Sequence, residues 1–192
     1  LPSRFLTPIG DDCAGIVAAV GESVTSLHRG DQVFGTAEGC LQSFTRARTN
    51  ALLVTLRPSV VPARAACTLP AVWITSHEVL FCAKGRKGED ALLHATAGGV
   101  GLIGLEYLRW LDVGVYGSAG GPAKHRLLRQ LLPTINSSRV AEAFAFGLAT
   151  RLASRRLQIV CNSLTADFIP VSMSILGDAG RFEEIGKRGA WS

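Results

Sequence analysis

The sequence predicts an α/β fold in which a doubly wound parallel sheet follows a β-rich segment, and three observations carry that prediction. Residues 91–110 run from an apolar strand through Gly98, Gly99 and Gly101 into a helix with Leu102, Leu105, Leu108 and Trp110 at helical spacing. From Pro70 onward, apolar strands alternate with helical stretches, the pattern of a parallel sheet with crossover helices. Before about residue 60, short strands alternate with turns.

Taken in order, 15–20 reads as a small apolar strand, Gly21-Glu22 as a turn, and Arg29-Gly30-Asp31 as a second turn before a strand at 32–35. A strand at 51–56 is closed by Arg57-Pro58, after which Pro62 opens a helix through 63–69. Val72, Trp73, Thr75, Ser76, Val79, Leu80 and Ala83 outline a helix that ends near Lys84-Gly85. The grammar changes at this helix, so a β-rich domain is expected at 1–69 and an α/β domain at 70–192. In the latter, strands are predicted at 91–95, 113–118, 157–162 and 180–186, with helices around 100–111, 122–132, 140–154 and 167–176.

The bulk properties limit the function classes. A chain of 192 residues, 47% hydrophobic and 18% charged, reads as a soluble globular protein. No apolar run reaches the roughly 18 residues expected of a membrane span. The first ten residues, Leu-Pro-Ser-Arg-Phe-Leu-Thr-Pro-Ile-Gly, lack a Met and the zones of a secretion signal and read as an excised piece. Five widely spaced cysteines suggest neither a disulfide framework nor a metal knuckle, so reduced thiols, a cytoplasmic setting and no metal site are expected. The net charge of +5 is uneven: 120–158 carries Lys124, Arg126, Arg129, Arg139, Arg151, Arg155 and Arg156 against Glu142 alone. This fits solvated helix faces or a phosphate site. Without interleaved aromatics it does not point to nucleic acid.

The chemistry centres on the glycine turn. Glycines let a pyrophosphate approach the backbone closely, and amides at a helix start point toward negative charge. The dinucleotide fingerprint laid over Thr96, Gly98 and Gly101 lacks its first glycine, so the turn alone fits equally a plain connection between buried elements. An NAD site carries an acid about 20 residues further on. Here Gly117-Ser118-Ala119-Gly120-Gly121 has none and is followed by Lys124 and Arg126, which favours a 2′-phosphate and hence NADPH.

Ala-Gly-Gly-Val-Gly at 97–101, Ser-Ser-Arg at 137–139, Cys-Asn-Ser-Leu at 161–164 and Gly-Arg-Phe-Glu-Glu-Ile-Gly-Lys at 180–187 form an ordered series. With it the chain resembles the enoylreductase domains of modular polyketide synthases and animal-type fatty acid synthases, in the zinc-independent medium-chain dehydrogenase/reductase group. Upstream, Ala14-Gly15-Ile16-Val17, Val20-Gly21 and Gly30-Asp31-Gln32-Val33-Phe34-Gly35 look like strands of the family's catalytic domain. The resemblance implies a Rossmann-like cofactor domain preceded by part of a GroES-like catalytic domain, without the family's first strands or its closing segment.

By that resemblance NADPH reduces an α,β-unsaturated thioester carried on an acyl carrier protein, beside neighbouring synthase domains. Gly98, Gly99, Val100 and Gly101 would cradle the pyrophosphate, and Thr75 would lie near the nicotinamide. Ser118 and Arg139 would also contact the cofactor. Asn162, Ser163 and Leu164, with Gly186 and Lys187, would border the cleft. Lys124 matches a lysine assigned to proton donation or phosphate binding, and Glu142 completes a candidate acid pair. His77 is expected to be partly buried and His94 satisfied in the core. Asp112 stands where the family has a Gly in left-handed backbone, Glu183 charges a normally apolar strand, and Ser154-Arg155-Arg156 replaces a glycine-rich turn. A reductase of small quinone-like enones and a non-catalytic synthase fragment are the alternative readings.

Overall fold

A computed structural model of the chain describes residues 9–48, 54–131, 135–136, 141–165 and 167–186. The chain divides into two units, Leu1–Ile74 and Thr75–Ser192.

The first unit carries a three-stranded antiparallel sheet, β1 (Asp12–Ile16), β2 (Gln32–Thr36) and β3 (Val54–Leu56), in the order β1-β2-β3. β1 lies several residues earlier than the apolar run at 15–20 suggests. Antiparallel pairing with β2 reaches back to Asp12↔Thr36, and beyond Ile16 the chain turns through Gly21, whose carbonyl accepts from the Val24 amide. Only the end of the strand expected at 51–56 falls within the described residues. Helix α1 (Ala63–Ala66) is shorter than the predicted 63–69 because Cys67 caps it and Pro70 opens the next helix. That helix, α2 (Pro70–Ala83), is anchored at its start by the Ala71 amide, which donates to Asp12 Oδ1 at 2.9 Å.

The second unit is an all-parallel five-stranded sheet. Its strands are β4 (Asp90–Leu93), β5 (Gly114–Ser118), β6 (Ile135–Asn136), β7 (Leu157–Asn162) and β8 (Leu176–Glu184), in the order β6-β5-β4-β7-β8. The helices are α3 (Gly99–Trp110), α4 (Pro122–Leu131), α5 (Ala141–Leu152) and α6 (Phe168–Ser174). The two-residue β6 escapes the sequence pattern because so short a strand has no periodicity to read. Strand order reverses at β4, so the strands leave it in opposite directions toward β5 and β7. A ligand crevice forms at such a switch point.

Side-chain alternation along β4 explains the two faces. Ala91 and Leu93 pack with Leu80 of α2, Leu105 and Leu108 of α3, and Leu128 of α4. Leu92 points the other way, to Phe144 and Leu148 of α5 and to Val160 of β7. All three β4 residues are buried, which is why the strand reads as a continuous apolar run. Among the described residues no helix is long and apolar enough to cross a membrane.

Local departures have local causes. Asp112 has φ 58, the left-handed geometry expected where the family has Gly, and its carboxylate meets Lys87 Nζ at 2.8 Å. β8 starts earlier than expected, but its register with β7 jumps from Leu157↔Leu176 to Ile159↔Arg181. Ala179, at φ 58, turns the intervening chain, and continuous pairing begins at Arg181. Arg155, in the stretch replacing a glycine-rich turn, lies 3.2 Å from Asp90 and donates to the Tyr116 hydroxyl at 2.7 Å. His77 is exposed rather than partly buried: it lies on the face of α2 that also carries exposed Phe81, 5.8 Å away by ring centroids.

Candidate functional site

The candidate site lies where β4, β5 and β7 end and the glycine turn begins. Ala95 takes a left-handed conformation, φ 49, and its carbonyl accepts from the Gly98 amide at 2.8 Å. This tight turn swings the chain into α3, whose N-cap, Gly98, supplies no side-chain hydrogen bond. The amides of Gly99, Val100 and Gly101 form the first turn of α3 and therefore have no intrahelical acceptor. They are suited to an anion.

Space requires glycine at one of these positions and is tight at a second. A Cβ on Gly101 would stand 2.6 Å from the Ala95 oxygen and 2.6 Å from Thr96 Cα, and one on Gly98 would stand 3.2 Å from the same oxygen. The missing first glycine is filled by Thr96, fully buried. Its hydroxyl donates to the Leu93 carbonyl at 2.6 Å and accepts from the Ser118 amide at 3.1 Å, while the Thr96 amide donates to the Ser118 carbonyl at 2.9 Å. The turn is thus stitched to the tip of β5 by a side chain that glycine lacks.

Behind the turn His94 is buried, with Nδ1 2.8 Å from Ser118 Oγ and Nε2 2.8 Å from Ser172 Oγ. Its ring packs against Phe144 and Phe168. Burial pushes its pKa down to about 4, so at neutral pH it is an uncharged bridge between two hydroxyls. Ser118, expected to contact cofactor, spends its hydroxyl on His94 and on the Ala95 amide at 3.3 Å.

Two cavities flank the turn. The first, about 220 Å³, lies over β4 and β7 and is walled by Ser76, His94, Gly98 to Gly101, Cys161 and Ser163. Ser163 Oγ is buried and has no protein partner. Burial pushes the Cys161 thiol up to about 12, with a smaller contribution from Glu183, so it stays protonated and is a poor nucleophile. The second cavity, about 370 Å³, lies over the tip of β5 and is walled by Ser118, Gly120, Lys124, Leu164 and Phe168. Lys124 stands exposed in the first turn of α4.

The structure therefore gathers Gly98, Gly99, Val100, Gly101 and Ser163 about one cavity and Ser118, Lys124 and Leu164 about the other. Asn162 is fully buried, and its amide nitrogen donates to the Leu164 carbonyl at 2.7 Å and to Glu184 Oε2 at 2.6 Å. It shapes the turn after β7 and leaves the wall to its neighbours. Gly186 donates its amide to Glu184 beside that turn. Thr75 is half-buried on α2, but the helix brings Ser76 to the cavity wall, with its hydroxyl donating to the Val100 carbonyl at 3.1 Å. Spacing could have found Ser76, since it shares a helix face with Leu80. Arg139, the rest of the Ser-Ser-Arg motif, and Lys187 lie outside the described residues. Glu142 lies near the start of α5, its side chain likewise outside them. Among the described residues no group of His, Cys, Asp and Glu is arranged to hold a metal.

No protein-family model matches the chain. It is 35% identical over 181 residues to a spectinabilin polyketide synthase system protein, NorB, of Streptomyces orinoci, covering 93% of this chain and 8% of that protein. It is 33% identical to erythronolide synthase EryA2 of Saccharopolyspora erythraea, of which it covers 5%. Among solved structures, CurK enoyl reductase superposes with a TM-score of 0.88 at 34% identity, covering 97% of this chain and 56% of that one. A mycobacterial protein in complex with NADPH gives 0.87 at 26% identity, covering 98% and 60%. The chain thus spans less than a tenth of the synthases and somewhat more than half of the solved domains.

Proposed function

We propose that this chain, which belongs with the enoylreductase domains of polyketide synthases in the medium-chain dehydrogenase/reductase group, serves the NADPH-dependent reduction of an α,β-unsaturated acyl thioester held on an acyl carrier protein. Bound NADPH supplies a hydride to the β-carbon of such a substrate, and a proton is added at the α-carbon.

The observation that carries the reading is the fit of the glycine turn to a pyrophosphate. Side chains are excluded at Gly101 by backbone atoms 2.6 Å from its Cβ position, and the first-turn amides of α3 face the opening. The buried Ser163 hydroxyl, without a protein partner, offers a hydrogen bond inside the β7-side cavity and would suit a carboxamide there. At the other cavity the β5 tip carries no acid, and Lys124 forms part of the wall. A carboxylate there would repel a 2′-phosphate, whereas an ammonium attracts it. That placement favours phosphate binding for Lys124 over the proton-donor role also expected of it. Arg139 and Lys187 remain assigned to the cofactor and Glu142 to proton supply.

This chain's own residues orient the cofactor and limit water. Leu80, Leu93 and Gly104 make the floor of the β7-side cavity apolar. Ser76, through the Val100 carbonyl, holds the glycine turn against α2. Neighbouring synthase domains would deliver the carrier-bound substrate.

Titrating the chain with NADPH and NADH by nicotinamide fluorescence tests the reading. NADPH should bind about tenfold tighter or better, and Lys124→Ala should erase most of that preference. A folded chain that binds neither nucleotide, or prefers NADH, overturns it. Oxidation of NADPH by a small quinone in strong preference to an enoyl pantetheine thioester would instead favour a quinone reductase.

A further inference from the structure

Cysteines far apart in sequence converge in the first unit. Cys13 lies on β1, Cys40 follows β2 and Cys67 caps α1, and all three thiols are half-buried. The segment bearing Cys40 folds back on β1: the Cys40 amide donates to the Gly10 carbonyl at 3.0 Å, and its thiol donates to the Ala37 carbonyl at 2.6 Å and reaches the Asp11 carbonyl at 3.3 Å. On the neighbouring strand Cys13 is paired with Gly35, which has no side chain. Paired residues share a sheet face, so that face stays open beside the Cys13 thiol. The Cys40 thiol, held at the carbonyl of Asp11 two residues before Cys13, is the nearest ionisable neighbour acting on the Cys13 thiol, with Cys67 a weaker electrostatic one.

We propose that Cys13 and Cys40 are a redox-responsive pair that closes to a disulfide in the presence of a hydroperoxide, fastening the turn after β2 to β1. A thiol fixed at the Asp11 carbonyl lies within side-chain reach of Cys13 two residues along the same chain, so the two can be bridged with little backbone movement. Half-buried thiols admit a molecule as small as hydrogen peroxide.

The reaction balances in two steps. Cys40 sulfur attacks a peroxide oxygen, giving a sulfenic acid and one water. Cys13 sulfur then displaces the hydroxyl from the Cys40 sulfur, and the Cys13 proton leaves with it as a second water. Two electrons pass from the two sulfurs to the peroxide, one S–S bond forms, and both S–H bonds and the O–O bond are lost. Cys13 is cast as the resolving thiol because burial, followed by the Cys40 contact, pushes its pKa up to about 12, which makes it the slower thiol to meet peroxide first.

The test is hydrogen peroxide treatment of the native chain, alkylation of residual thiols, digestion without reductant, and mass spectrometry. A cross-linked peptide joining Cys13 to Cys40 is expected, reversed by dithiothreitol, absent in Cys13→Ser and Cys40→Ser, and retained in Cys67→Ser. Should a serine variant fail to fold, the wild-type chain still decides: the Cys13–Cys40 link should form at least about fivefold more in native protein than in urea, where all thiol pairs compete. A Cys13–Cys67 link, equal yields of links to Cys82 or Cys161, or oxidation to sulfinic acid without any link overturns the proposal.

Discussion

Thr96 and Ser118 are joined by reciprocal hydrogen bonds: the Thr96 amide donates to the Ser118 carbonyl at 2.9 Å, and the Ser118 amide donates to the Thr96 hydroxyl at 3.1 Å. The second bond crosses from the glycine turn to the end of the neighbouring strand. Thr96→Val keeps the shape but strands a buried amide, so stability should fall by about 1–3 kcal/mol, read from urea denaturation midpoints at constant m-value. Thr96→Gly, which restores the dinucleotide fingerprint, should also destabilise. An unchanged midpoint for both would show that water replaces the hydroxyl.

Gly101 stands against backbone on two sides, and backbone cannot rotate out of the way as a side-chain tip can. Gly101→Ala should therefore either unfold the second unit or shift α3 enough to abolish nucleotide binding. Gly121→Ala serves as the contrast: nothing lies within 4 Å of its Cβ position, so its cost is confined to φ 95, about 1–2 kcal/mol. Circular dichroism with a nucleotide titration on both variants separates the two effects.

His94 makes stability depend on pH. Its pKa is about 4 when folded against an ordinary 6.5, so the unfolded chain binds the proton more tightly. The stabilisation is fully present above about pH 6.5, is lost progressively as pH falls to about 4, and amounts to about 3 kcal/mol at most. Melting curves across this range should fall more steeply for wild type than for His94→Gln. Glu89, whose carboxyl is held below its usual range chiefly by Arg181, adds a loss only at lower pH, as the solution passes below its ordinary value of 4.5. Parallel slopes for the two proteins would mean that the histidine is not neutral in the fold.

Glu89 and Arg181 pair through the two terminal guanidinium nitrogens, Nη1 and Nη2, at the opposite end of the sheet from the glycine turn. Both side chains are half-buried, and Arg181 Nε is buried without a further partner. Glu89→Ala leaves a half-buried guanidinium unpaired and should cost about 1–3 kcal/mol. Glu89→Leu combined with Arg181→Met should recover part of that loss. If the double substitution is no better than the single one, the pair is not the source of the cost.

The strand, glycine turn and helix at 91–110 were legible because apolar periodicity and turn chemistry act over a few residues. The helix beginning at Pro70 was legible for the same reason. Strand ends were less so: β1 begins where β2 can still pair with it, and β8 bends at Ala179, neither of which is encoded in hydrophobicity. The absence of an acid at the β5 tip could be read directly, whereas the placing of Ser76 rather than Thr75 on the cavity wall required the packing of α2 against the glycine turn.

By itself, then, the sequence determined every described element but the short β6, their order, and the glycine-lined start of α3 at the candidate site. Tertiary structure alone decided the partners of the polar groups behind it. Ser118 and Ser172 reach His94 from 24 and 78 residues away, and the Cys40 thiol reaches the Asp11 carbonyl, just before β1, from 29 residues away. The reason is physical: local pattern fixes backbone conformation, but a buried hydrogen bond needs two groups at one point in space, and only the assembled sheet brings them there.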